Sequence, residues 1–165
     1  DKRKEKVAVN LFYTHEDPQI AAQMQCDKHV VKMILETAQM LSTAHRLAET
    51  PQAPFVYKMT HQNHPSTKWL RSSQAAYKWG LEHLQALFAE YDYRYGKIHK
   101  TQREKLQYLK VVPTSLPDLP FQPPPQCIYD DCKTEDTVQA YRNYYKVRRS
   151  EIKMNWTKRS APAWL

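Results

Sequence analysis

The chain has 165 residues, 41% of them hydrophobic and 12% aromatic, enough to bury one core and too apolar for a disordered polymer. Its formal charge is +8, and it lacks the run of about eighteen apolar residues that a membrane-spanning helix needs. The two glycines, Gly80 and Gly96, are too few for the loops that cradle phosphates in P-loop and dinucleotide-binding proteins. Three cysteines, an odd number, argue against a disulfide framework and for a reducing compartment.

In chain order, residues 1–8 read as a basic arm, and residues 9–165 as a single helical domain. No apolar stretch follows the arm, so it does not resemble a secretory signal. Val7 to Tyr13 is β-branched and aromatic and predicts one short strand or extended segment. Asp17 caps a long helix that starts at Pro18 and stops near Glu49, before Pro51. Residues 50–64 form a loop, and Pro65 opens a second long helix that ends at Gly96. A shorter basic helix covers Thr101 to Lys110. Six prolines between Pro113 and Pro125 predict an extended segment laid across the helices, anchored by Leu116, Leu119 and Phe121. Thr134 caps a last helix from Glu135 to about Asn155. The expected fold is mainly α, with two long core helices, a C-terminal helix and the proline-rich crossing segment.

The first helix carries the most informative pattern. At about 100° per residue, Gln25, His29, Lys32, Glu36, Gln39 and Thr43 share one band, with Cys26, Met33 and Met40 on one flank, and Met24 and Leu35 on the other. Val30, Val31, Ile34 and Leu41 cover the back. An apolar surround with a narrow polar stripe predicts a central helix whose stripe faces a cleft. Lys32 and Glu36, four residues apart, form either an internal ion pair that fixes packing or a reactive pair in which amine, carboxylate and the His29 imidazole converge. On the second helix His83 and Glu90 share a flank with Arg94 and are placed to face this stripe. The candidate catalytic set is therefore His29, Lys32, Glu36, His83 and Glu90.

Two metal arrangements are conceivable: Cys26, His29, Cys127 and Cys132 as a zinc set, or His61 and His64 with Glu36 or Glu90. Neither has strong paired spacing, and no HExxH or paired ExxH pattern occurs, so the expectation is a site without metal or other cofactor.

The charge is uneven. Five cations stand against Glu104 between Lys97 and Lys110, and six against Glu151 between Lys146 and Arg159. Tyr141, Arg142, Tyr144, Tyr145, Lys146, Arg148 and Arg149 interleave rings with cations, as do Tyr91, Tyr93, Arg94 and Tyr95. Rings that stack bases beside cations that hold phosphates suit a single-stranded or flipped-base partner. Arg94, Lys97, Tyr141, Arg142, Tyr145, Arg148 and Arg149 are thus expected to bind nucleic acid, most simply DNA, with no membrane involved.

The blocks Asn10-Leu-Phe-Tyr13, Cys26-Asp-Lys-His-Val-Val-Lys-Met-Ile-Leu-Glu36, Tyr93-Arg-Tyr-Gly-Lys97, Pro120-Phe-Gln-Pro-Pro-Pro-Gln126 and Ala140-Tyr-Arg-Asn-Tyr-Tyr145 resemble a family of small proteins encoded by tailed bacteriophages. That resemblance implies a viral protein working in the host cytoplasm and carries no assigned activity. A fainter likeness is to the small helical pyrimidine-dimer glycosylases of phages, which pair an N-terminal amine with a glutamate; Lys32 with Glu36 is the analogous pair here. The expected function is a DNA-processing enzyme with glycosylase- or lyase-like chemistry. The alternatives are a non-catalytic phage protein that binds nucleic acid or a host protein, and an enzyme acting on nucleotides or other small molecules.

Overall fold

In the computed structural model, which describes residues 10–165, six helices pack into a single domain: α1 (Pro18–Met24), α2 (Asp27–Ala48), α3 (Pro65–Leu70), α4 (Gln74–Tyr95), α5 (Lys100–Leu109) and α6 (Thr137–Glu151). The domain is all-helical, with short 3₁₀ turns at Ala53–Phe55 and Asp130–Cys132, and no strand occurs among the described residues. No helix among them is long and apolar enough to cross a membrane. The basic arm and the Val7 end of the expected strand lie outside the described residues.

Asn10 to Tyr13 do not form the expected strand. They are a buried irregular segment, and Phe12 takes the left-handed conformation with φ 53°. That conformation costs a bulky side chain on the order of 1–3 kcal/mol. Asn10 holds it in place: its Oδ1 accepts the Phe12 amide at 2.7 Å, and its Nδ2 donates to the Cys127 carbonyl at 2.9 Å.

Both long helices of the sequence reading are interrupted. The first breaks at Gln25 and Cys26, which have extended backbone. The break is tolerated because the amides it frees find partners elsewhere: Cys26 donates to the Tyr145 hydroxyl at 2.8 Å, and Asp27 to the Asn155 carbonyl at 2.8 Å. The second breaks at 71–73, where the Ser73 hydroxyl caps α4 by accepting the Ala76 amide. Asp17 caps α1 as expected, and Gly96 ends α4 in the left-handed conformation at φ 66°. The last helix starts later than expected, with Asp136 rather than Thr134 as its cap.

Helices α2 and α4 form the centre, and α3 crosses them where Gly80 lies. A Cβ on Gly80 would approach the Leu70 side chain to 2.3 Å and the Leu41 side chain to 3.3 Å, so glycine lets the three helices meet. The proline-rich segment crosses the surface of this bundle. Its carbonyls at Gln122 and Pro117 accept the Trp69 indole and the Gln74 amide, and Leu116 is buried. Leu119 and Phe121, expected as anchors, are exposed.

Candidate functional site

The polar stripe of α2 resolves into two regions with different chemistry. His29 is buried, its ring stacked on Phe12 with centroids 4.2 Å apart and planes at 14°. The Tyr145 hydroxyl accepts the Cys26 amide and sits 2.8 Å from His29 Nδ1, so its own proton is aimed at that nitrogen. Burial, reinforced by Arg148, Lys32 and Lys28, pushes the His29 pKa down to about 3. The imidazole is thus neutral at neutral pH and held between a phenol and a stacked ring.

One turn further along, the stripe opens to solvent. Lys32 is largely exposed, and its Nζ lies 3.8 Å from Glu36 Oε2. Glu36 is mostly covered. Its Oε2 is buried and accepts no hydrogen bond, and burial raises its pKa against the opposing pull of Lys32 and His61. The pair sets a largely covered carboxyl group with a raised pKa beside an exposed amine. Lys28 is exposed one turn before Lys32 on the same helix.

His83 and Glu90 do not join the pair. His83 is fully enclosed: its Nδ1 lies 2.9 Å from the Pro18 carbonyl and its Nε2 3.0 Å from Gln25 Nε2, fixing the α1–α2 break against α4. Burial pushes its pKa down to about 4. Its reach to the stripe therefore ends at Gln25. Glu90 belongs to a separate ion network. Its Oε1 accepts Arg94 Nε at 2.9 Å and Arg159 Nε at 2.6 Å, and its Oε2 accepts a second Arg159 nitrogen at 3.1 Å. Arg94 is fully buried and also bonds Asp27 Oδ1 at 2.9 Å and the Gln23 carbonyl. Asp27 in turn accepts the Thr157 amide and hydroxyl. Burial alone would raise the Asp27 pKa, but the Thr157 bonds and Arg94 hold it below the usual carboxylate value. This network clamps the C-terminal segment onto α2 and α4. Arg94, expected to contact nucleic acid, is its buried centre.

The tyrosines of α6 are likewise interior. Tyr141 donates to the Pro125 carbonyl at 2.6 Å, and Tyr144 packs edge-on against Tyr129. With Tyr145 they are buried, so they present no ring face for stacking a base. Arg142 donates to the Thr14 carbonyl at 2.9 Å and lies over the Trp164 ring. Lys97 and Arg149 are exposed, and Arg148 is half-buried, pairing with Glu151 at 3.6 Å. Its Nε is buried without a hydrogen-bond partner.

Among the described residues no group of three or more His, Cys, Asp and Glu side chains is gathered closely enough to hold a metal ion. The Cys26, His29, Cys127 and Cys132 set is therefore not assembled, and neither is a set built on His61 and His64. His64 instead caps α3 by accepting the Ser66 amide, and Ser66 donates to the Cys127 sulfur at 3.3 Å.

Sequence reasoning missed three participants. Asn10 and Phe12 shape the His29 environment through a left-handed turn that no periodicity signals. Lys28 stands on the solvent side of α2 within one turn of Lys32, a neighbour the helical wheel does contain. Val31, assigned to the buried back, is 43% exposed, and Leu35 is 42% exposed. Comparison of the chain with protein-family models, with curated proteins and with solved structures found no match.

Proposed function

We propose that the chain is a DNA-processing enzyme in which Lys32 and Glu36 carry glycosylase- or lyase-type chemistry. The observation that supports this most is the state of Glu36: a largely covered carboxyl group with an unsatisfied oxygen and a raised pKa, 3.8 Å from an exposed amine. In the proposed step Lys32 Nζ attacks C1′ of a deoxyribose, and the bond between C1′ and the base nitrogen breaks. Glu36 supplies the proton that the departing base takes up, and the amine loses its own proton to solvent. The ring oxygen then takes up a proton as the C1′–O4′ bond breaks, leaving an imine between Lys32 and the sugar that an abasic site also forms; loss of a C2′ proton from it expels the 3′ phosphate and cuts the strand. The exposed Lys28, one turn before Lys32, suits a flanking phosphate.

The burial of His29, His83, Glu90 and the α6 tyrosines favours a second reading, a DNA-binding protein without chemistry. An incision assay separates the two. A labelled duplex containing one abasic site is incubated with wild-type chain, Lys32→Ala and Glu36→Gln. The enzyme reading expects strand cleavage by the wild type and a loss of at least a hundredfold in both variants, with thermal stability retained. Binding without cleavage by the wild type supports the second reading and overturns the first.

A further inference from the structure

The solvent-facing strip of α2 combines two chemistries that a surface ordinarily keeps apart. Lys28, Val31, Lys32 and Leu35 fall within about 100° of arc on that helix, at spacings of three and four residues. Lys28 and Lys32 are exposed, and Val31 and Leu35 leave 43% and 42% of their surface in water. Arg148, on α6, is half-buried and paired with Glu151 at 3.6 Å, so the free cations of the strip are Lys28 and Lys32. Single exposed aliphatic residues are unremarkable, but an aliphatic pair interleaved with cations and adjoining the Lys32–Glu36 pair matches a ligand that offers phosphate and apolar surface together. A paired duplex presents mainly phosphates and polar groove edges, and its base faces are hidden by stacking. Unpaired DNA exposes those faces.

Resting on the proposed DNA reading, we infer that this strip binds DNA whose bases are unpaired. Val31 and Leu35 pack against an exposed base face or sugar, while Lys28 holds a flanking phosphate. The strip thereby selects a single-stranded or locally opened site and delivers its deoxyribose to Lys32. Apolar side chains are a known means of holding bases out of the stack.

The test is fluorescence anisotropy with one fluorescein-labelled oligonucleotide sequence presented as a single strand, as a perfect duplex and as a duplex with a central bulge. Wild-type chain is expected to favour the single strand and the bulge over the perfect duplex. The double variant Val31→Ser with Leu35→Ser is expected to lose about tenfold in affinity for the unpaired forms, with little change in the salt dependence of binding. Lys28→Ala is expected to reduce that salt slope by about one. Equal affinity of the wild type for all three DNAs, or a double variant that keeps the preference, overturns the inference. So does a chain that ignores all three DNAs yet binds a labelled acidic amphipathic peptide through Val31 and Leu35, which would make the strip a protein-docking face. These binding results are independent of cleavage: a chain that prefers unpaired DNA but never incises it refutes the reaction and leaves the strip's role intact.

Discussion

The Tyr145 hydroxyl stands 2.8 Å from His29 Nδ1 and also takes the Cys26 amide at 2.8 Å, so one phenol joins α6 to the break that starts α2. Tyr145→Phe removes that hydroxyl and leaves two buried polar groups unpaired. A loss of about 1–3 kcal/mol per group is expected. Urea unfolding of the variant checks it, and an unchanged midpoint would show that the phenol is not a structural bridge.

The two buried histidines make stability depend on pH. The pKa of His29 is about 3 and that of His83 about 4 in the fold, against an ordinary value of 6.5 in the unfolded chain. The unfolded chain therefore binds more protons below that value. Their contribution is fully present above it and is lost as pH falls toward the folded values. Between about pH 7 and pH 5 each histidine should remove about 2 kcal/mol of stability. Denaturant midpoints of wild type and His83→Gln across that range check this, the variant showing the shallower slope.

Glu90 tests whether the buried ion network is structural. Glu90→Ala leaves the fully buried Arg94 with Asp27 as its one ion partner and the Gln23 carbonyl, and releases Arg159. The cost should be about 3–5 kcal/mol, because breaking one partner strands a buried charge. Proteolysis should then cut the chain beyond Asn155 sooner than in the wild type. A variant that loses DNA cleavage while keeping full stability would return Glu90 to the reactive site.

Gly80→Ala places a methyl group against Leu70 and Leu41. Overpacking of this kind costs about 1–3 kcal/mol, and the melting temperature should fall accordingly.

The helical architecture was legible in the sequence because capping residues and prolines carry local signals: Asp17 and Gly96 act as expected, and the proline-rich run contains no helix, though only Leu116 of its three expected anchors is buried. The breaks at Gln25 and at 71–73 were not legible. The first depends on partners more than a hundred residues away, Tyr145 and Asn155, which no local pattern reveals. The stripe was legible as a band, but its division was not. His29 is covered by Phe12, whose left-handed backbone brings a distant ring onto it, while Lys32 remains open. Aromatic residues beside cations on α6 suggested a surface for bases. In the fold the rings turn inward and only part of the charge remains outside, because helical periodicity places Tyr141, Tyr144 and Tyr145 on the packed face.

On the proposed function, Lys32 and Glu36 form the reactive part of the stripe while His29, His83 and Glu90 hold the fold. The most direct measurement is borohydride trapping on a duplex with one abasic site, followed by mass spectrometry of the digested adduct. A reduced sugar adduct on Lys32 is expected, absent from Lys32→Ala and weakened in Glu36→Gln. An adduct on another amine, or none under conditions where the wild-type chain binds the duplex, would contradict it.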